Sequence, residues 1–102
     1  MTQAERASFL AILRYMDCLR PLAEQAKAGP PLTDAQLERL GYRCRPELRD
    51  AATKREHYWS AERGIAPDDA LFYAPTRAER IVLQERELAG MAWCHVRRCV
   101  PE

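Results

Sequence analysis

The feature that most constrains the fold is a helical repeat of apolar residues, which recurs along the chain without any run that alternates with a period of two. In residues 2–29, "TQAERASFLAILRYMDCLRPLAEQAKAG", apolar side chains return every three or four positions. A rotation of about 100° per residue places them on one face of a helix. Pro21 is expected either to kink this helix or to open a second one at its first turn. The predicted buried face consists of Phe9, Ile12, Leu13, Met16, Leu19 and Ala23.

Capping residues divide the next part of the chain into two helices. Thr33 and Gln36 form a capping box that opens a short helix, and Gly41 is expected to end it in the left-handed conformation. Pro46 then opens a third helix that extends toward Gly64. Its predicted inward stripe is narrow and partly built of small residues, which would let another helix approach closely: Leu48, Ala51, Ala52, Arg55 and Trp59.

A second capping box, formed by Thr76 and Glu79, opens a long last helix over residues 77–99. Its predicted buried face is Ile81, Leu88, Ala89, Ala92, Val96 and Cys99. The connector near residues 65–75 is compatible with one helical turn or with a short extended piece. The sequence therefore predicts an all-α fold, a compact bundle of four or five helices, in which residues 1–102 form a single domain.

Length and composition exclude several classes of protein. A chain of 102 residues with 47% hydrophobic residues can bury a modest core. A net charge of +1 argues against a general polyanion binder, and no run approaches the roughly 18 apolar residues of a membrane span. The N-terminus lacks the pattern of an export signal. We therefore predict a cytoplasmic protein without a membrane partner, whose cysteines are thiols.

The stretch "WCHVRRCV" raises the question of a metal or redox site. Cys94 and Cys99 would lie about 140° apart on a continuous helix, so they cannot bind one ion together. Cys18 and Cys44 have no close neighbour of the kind that marks a structural zinc site. We predict no cofactor and no metal, with one alternative left open. That alternative is a cysteine-based metal or redox sensor using Cys18, Cys44, Cys94, Cys99 and His95.

No catalytic group can be identified from the sequence. A cysteine–histidine nucleophile would need a third, orienting group, and none stands out. His57 points away from the inward stripe of the third helix and is expected to be solvated. The carboxylates are scattered, and no glycine-rich phosphate loop is present. The prediction is that the protein is not an enzyme.

The stretch "LTDAQLERLGYRCRPELRDAA" resembles a helix-turn-helix, with a capped first helix, a glycine turn and arginines opening a second helix. Further on, "YWSAERGIAP" followed by "FYAPTRAERIVLQERELAGM" is similar to the middle of MerR-type winged-helix regulators, so that the resemblance covers about residues 32–91. It implies a DNA-binding transcriptional regulator in which Arg45, Arg49, Lys54 and Arg55 face the duplex.

The function predicted first is nevertheless a binding module without chemistry, a regulatory or inhibitor protein that docks on a macromolecular partner, most simply a protein. Large rings and arginines are numerous for so small a chain, and both are enriched among interface anchors. Fourteen arginines against two lysines indicate a GC-rich bacterial, plasmid or phage origin, which suits a phage- or plasmid-borne inhibitor of the anti-CRISPR type. Duplex DNA is the alternative partner, and a homodimer, formed through the long last helix, is kept open. The predicted contact residues are Arg43, Arg45, Arg49, Lys54, Arg55, Arg97, Arg98 and Tyr58.

Overall fold

The computed structural model describes residues 2–30, 33–60 and 76–97, and this part of the chain is helical and contains no strand. Helix α1 spans Gln3–Ala28 and α2 spans Asp34–Gly41, followed by a short 3₁₀ helix at Tyr42–Cys44. Helix α3 spans Arg45–Tyr58 and α4 spans Arg77–Arg97. The predicted all-α bundle is confirmed. The connector near residues 65–75 lies outside the described residues, so its conformation stays a prediction.

The predicted capping residues begin helices where the sequence placed them, with a reciprocal capping box at Thr33 and Gln36 and a single side-chain cap at Thr76. The Thr33 backbone N–H donates to Gln36 Oε1 at 2.9 Å, and the Gln36 backbone N–H donates back to Thr33 Oγ1 at 3.2 Å. At the start of α4, the Glu79 backbone N–H donates to Thr76 Oγ1 at 3.1 Å. Each bond satisfies a backbone donor that the first turn of a helix leaves without a partner.

One prediction about a helix end needs correction, and one of the two alternatives for Pro21 is excluded. Gly41 has φ −62° and ψ −22°, so it stays right-handed and does not end α2 in the left-handed conformation. The reason is that the backbone continues directly into the 3₁₀ helix. Pro21 opens no second helix, because α1 continues through it to Ala28.

Helix α3 lies against both α1 and α4 and forms the middle of the bundle. Ala51 and Ala52 on α3 are completely buried, as is Ala11 on α1. Small side chains at these positions allow α1 and α3 to approach closely, as the alanine-containing stripe of α3 predicted. The core is completed by Tyr15, Leu19, Leu22, Cys44, Leu88 and Ala92.

The buried face of α1 differs from the predicted one. Phe9 and Leu13 were expected in the core but are 52% and 43% exposed. Ser8, Ala11 and Tyr15 are buried instead. Of the remaining predicted residues, Leu19 is buried, whereas Ile12, Met16 and Ala23 are half-buried. Close packing on the alanines of α3 favours the face of α1 that carries a small residue. The spacing of apolar residues along α1 does not predict which face that is.

A buried carboxylate joins α3 to α4. The Glu56 side chain is almost fully buried, and its Oε1 accepts a hydrogen bond from Arg80 Nε at 2.9 Å. Arg77 Nε lies 3.5 Å from the other carboxylate oxygen. On α4 the predicted core residues Leu88 and Ala92 are buried, which confirms the inward direction of that face. The predicted positions Val96 and Cys99 lie outside the side chains that the structure describes.

Candidate functional site

Among the large hydrophobic residues that the structure describes, Tyr42 is the most exposed, at 68%, and it lies where α2 passes into α3. The Arg45 guanidinium lies over its ring, 5.6 Å from Arg45 Cζ to the ring centroid. Arg39 lines the same shallow surface hollow as Tyr42, and Arg43 is exposed between Tyr42 and the start of α3. We call Arg39, Tyr42, Arg43 and Arg45 the arginine–tyrosine corner.

A disulfide anchors the backbone of the arginine–tyrosine corner to α1. Cys44 is buried in the 3₁₀ helix and bonded to Cys18 of α1, with 5.9 Å between their Cα atoms. The bond ties residues 26 positions apart and holds the short 3₁₀ helix against the bundle. The exposed ring and guanidinium groups therefore stand on a covalently anchored stretch of backbone.

The expectation that the cysteines are thiols is wrong. Cys18 and Cys44 are paired, and Cys94, which is exposed on α4, is disulfide-bonded as well. The Cys18–Cys44 pair could not be predicted from the sequence, because the two residues are far apart in the chain and α1 and the 3₁₀ helix bring them together only in the folded bundle. A disulfide sulfur is not a thiolate, so in this state Cys18 and Cys44 cannot bind a metal ion as the sensor alternative requires.

The arginines of the corner are available for a partner. Within residues 2–30, 33–60 and 76–97, Arg39, Arg43 and Arg45 form no ion pair with an acidic side chain. Glu38 shares the hollow with Arg39 and is the acidic side chain closest to it on α2. Guanidinium groups bind carboxylates and phosphates through two parallel hydrogen bonds, so a cluster of them favours an anionic surface.

Other basic residues from the predicted site are engaged within the bundle. Arg55 donates to Glu87 of α4 at 3.1 Å, and its guanidinium lies over the Trp59 ring, 4.2 Å from the ring centroid. Lys54 pairs with Asp50 one turn earlier at 2.7 Å. These contacts offset the positive charge of both side chains, and the Arg55–Glu87 contact also connects α3 to α4.

Two further predicted residues are also held by acidic partners. Arg49 forms an ion pair with Glu85 of α4. The Tyr58 hydroxyl donates to Glu5 of α1 at 3.0 Å and is half-buried. The side chains of Arg97 and Arg98 lie outside those that the structure describes, so their predicted role stays a prediction. His57 is exposed, as expected.

The structure thus retains Arg43 and Arg45 of the predicted set as exposed residues without acidic partners among the described residues, and adds Arg39 and Tyr42. Sequence reasoning missed Arg39, and it counted Tyr42 among the possible contact rings without assigning it to the contact surface, although a signal existed. Positions 39, 42 and 45 are three residues apart, which in a continuous helical path places them on one side. What the sequence could not supply was the pairing of Arg49 and Arg55 with carboxylates of α4.

Chemical sites of other kinds have little support in the described part of the chain. No three His, Cys, Asp or Glu side chains are grouped there so as to hold a metal ion. None of the helices that the structure describes is long and apolar enough to span a membrane. His95 and Cys99, named for the metal alternative, lie outside the described side chains.

Comparison with known proteins identifies no relative. No family model matches the chain, and no curated protein or solved structure matches it either. The resemblance to helix-turn-helix and MerR-type regulators therefore rests on the sequence stretches alone. The geometry of the corner is the basis for any functional assignment.

Proposed function

We propose that this protein is a small non-enzymatic binding protein that regulates or inhibits a protein partner by docking the arginine–tyrosine corner on an acidic face of that partner. The observation that carries the proposal is the combination of the exposed Tyr42 ring with arginines that lack acidic partners in the described bundle. Tyrosine and arginine are enriched among the residues that dominate binding energy at protein interfaces.

The anchoring of the corner supports this assignment. Binding costs free energy when flexible side chains and loops become ordered, and a preorganised surface avoids part of that cost. Cys44 is buried and bonded to Cys18, and Arg45 already rests on Tyr42, so the backbone and one guanidinium group are positioned before any partner arrives. A rigid basic surface of this kind selects carboxylate-rich surfaces through complementary charge.

The biological setting is proposed from size and composition. An arginine-rich chain of 102 residues suits a phage- or plasmid-borne inhibitor, for example of the anti-CRISPR type. We also propose a cytoplasmic location, which requires that the Cys18–Cys44 disulfide is not permanent in the cell. Cytosolic thiols are normally kept reduced, so a persistent Cys18–Cys44 bond would favour an oxidising compartment.

The test uses the complete protein, immobilised and exposed to nuclease-treated host lysate. The double variant Arg43→Glu/Arg45→Glu should reduce recovery of the captured partner at least about tenfold, because it reverses two charges at the contact. The matched control Lys27→Glu/Arg86→Glu reverses two exposed charges elsewhere and should retain the partner. Equal recovery by both double variants would contradict the assignment.

Duplex DNA is the second candidate, because phosphates accept the same hydrogen bonds from guanidinium groups. Arg45 is the first residue of α3, the helix that the helix-turn-helix resemblance assigns to recognition, and Arg43 lies just before it in the 3₁₀ helix. This candidate predicts duplex binding at about 50 mM salt that weakens steeply as salt rises and is reduced by Arg43→Ala/Arg45→Ala. Absence of duplex binding at that salt concentration excludes it.

The metal-sensor alternative has its own test. Thiolates would have to be regenerated from the Cys18–Cys44 bond before they could bind zinc. Stoichiometric zinc in the reduced, purified protein would support that alternative, and metal-free protein after incubation with zinc would exclude it.

A further inference from the structure

The outer side of α1 carries apolar side chains that the bundle leaves uncovered. Phe9, Leu10 and Leu13 are 52%, 38% and 43% exposed, while the opposite side of the same helix is buried against α3. Three such residues within five positions form a contiguous patch on a helix of 26 residues. Contiguous exposed apolar surface is typical of contact sites, whereas single exposed apolar residues are not.

Opposite charges flank this patch along the helix. Arg6 lies one turn before it and Asp17 one turn after it, and both side chains are exposed. Arg6 pairs with no acidic side chain of the described residues, whereas Asp17 forms an exposed pair with Arg20. At about 100° per residue, Arg6, Leu13 and Asp17 lie within roughly 40° of each other around the helix. The stripe therefore runs from the positive Arg6 through the apolar patch to Asp17, whose exposed carboxylate also contacts Arg20 one turn further on.

Such a stripe is complementary to itself when two copies meet in opposite directions. In an antiparallel pair centred on the patch, Leu10 of one copy faces Leu13 of the other, and the two-fold axis repeats the contact. The same register places Arg6 against Asp17 of the second copy, twice. A parallel pair would instead place Arg6 against Arg6 and Asp17 against Asp17, so repulsion excludes that direction.

We infer that the outer face of α1 binds a second copy of this chain through this antiparallel, two-fold contact. The surface is separate from the arginine–tyrosine corner, which lies on α2, the 3₁₀ helix and the start of α3. The inference does not depend on the proposed function. One helix face per copy makes a small interface, so the dimer is weak and forms in the micromolar to submillimolar range.

The first experiment is sedimentation equilibrium of the complete protein from about 10 μM to about 1 mM. We expect a reversible monomer–dimer equilibrium in this range. Leu13→Asp should abolish it, because two carboxylates would face apolar side chains at the centre of the contact. Val82→Asp is the matched control, since Val82 is 37% exposed on α4. A wild-type monomer throughout the range, or a dimer that Leu13→Asp leaves intact, overturns the inference.

The second experiment tests direction and register through charge. Arg6→Asp alone and Asp17→Arg alone should each weaken self-association at least about tenfold, because each variant opposes like charges twice. When the two single variants are mixed, a heterodimer should form, since every contact then joins opposite charges. The double variant Arg6→Asp/Asp17→Arg should dimerise like the wild type. Failure of both the mixture and the double variant to associate overturns the assigned register.

Thermal unfolding followed by circular dichroism shows whether these variants fold. All three substituted positions are exposed, so the unfolding temperature of the monomer should stay close to that of the wild type. Partner capture through the corner should be unchanged in Leu13→Asp. Loss of the dimer with retained partner capture would show that Leu13→Asp disrupts only the α1 contact. The dimer contact and the partner-binding corner are thereby tested independently.

Discussion

Glu56 of α3 and Arg80 of α4 form an ion pair in which Arg80 Nε lies 2.9 Å from Oε1 of a carboxylate that is only 1% exposed. Arg77 approaches the same carboxylate at 3.5 Å, but its side chain is 62% exposed. A buried carboxylate depends on its partners, since removing one of them leaves a charge that neither water nor protein compensates. The pair is therefore the polar contact on which α3–α4 packing depends most.

The first prediction compares the two arginines of this site. Arg80→Leu should lower the free energy of unfolding by roughly 2–3 kcal/mol, because it removes the hydrogen-bonded partner of a buried charge. Arg77→Leu should cost less than about 1 kcal/mol, since an exposed arginine contributes little. Urea unfolding of both variants measures the difference. The double variant Glu56→Leu/Arg80→Leu should recover much of the loss, and equal effects of the two single changes would contradict this account.

The second prediction concerns the Cys18–Cys44 bond. Cys18→Ala/Cys44→Ala should lower the free energy of unfolding by about 3 kcal/mol, because the bond restricts a loop of 26 positions in the unfolded chain. The helical content of the folded protein should change little. Urea unfolding without reductant gives the value. The same measurement with reductant should bring the wild type toward the variant, and a wild type unaffected by reductant would contradict the prediction.

The third prediction is that one core residue can be exchanged for a gain in stability. Gln84 is almost fully buried, and its Oε1 accepts no hydrogen bond from the residues described. Gln84→Met keeps a similar volume and removes the unsatisfied carbonyl, so stability should rise by about 1 kcal/mol. Gln25→Met, at an exposed position on α1, is the control and should have no effect. A loss of stability in Gln84→Met would show that the amide is satisfied after all.

The fourth prediction concerns alkaline pH. Burial raises the pKa of the Tyr15 phenol above its ordinary value near 10. The unfolded chain therefore loses this proton first, so the contribution of Tyr15 to stability is constant below about pH 10 and decreases above it, by up to about 1.4 kcal/mol per pH unit.

Tyr15→Phe removes this ionisation. Above about pH 10, the free energy of unfolding of the wild type should therefore decrease relative to that of the variant. Urea unfolding at about pH 8 and at about pH 10.5 measures that shift. Parallel changes in both proteins between these pH values would mean that Tyr15 ionises equally in the folded and unfolded chains.

Local sequence predicted the helix starts well. The pairs Thr33–Gln36 and Thr76–Glu79 are each three residues apart, so the cap forms from neighbours and needs no distant contact. The end of α2 was less predictable. Gly41 permits a left-handed turn but does not require one, and the buried Cys44 that follows holds the backbone in a 3₁₀ helix.

The candidate site was predicted in part. Arg43 was named from charge, Arg45 from charge and from the helix-turn-helix resemblance, and both are exposed without acidic partners among the described residues. Arg49 and Arg55 were named on the same grounds but meet Glu85 and Glu87. Those carboxylates come from α4, 32 residues further along the chain in the case of Arg55 and Glu87, and no local pattern reports such a pairing.

By itself, the sequence determined the all-α class, the starts of the capped helices and the alanine stripe at Ala51 and Ala52, because these depend on residues within a turn or two of each other. Tertiary structure alone decided which side of α1 is buried, that Cys18 meets Cys44, and which arginines stay available for a partner. Each of these outcomes depends on the distance between residues far apart in the chain. That distance is set only when the helices pack around a shared core that contains Ala11, Ala51 and Ala52, which fixes the rotation of α1.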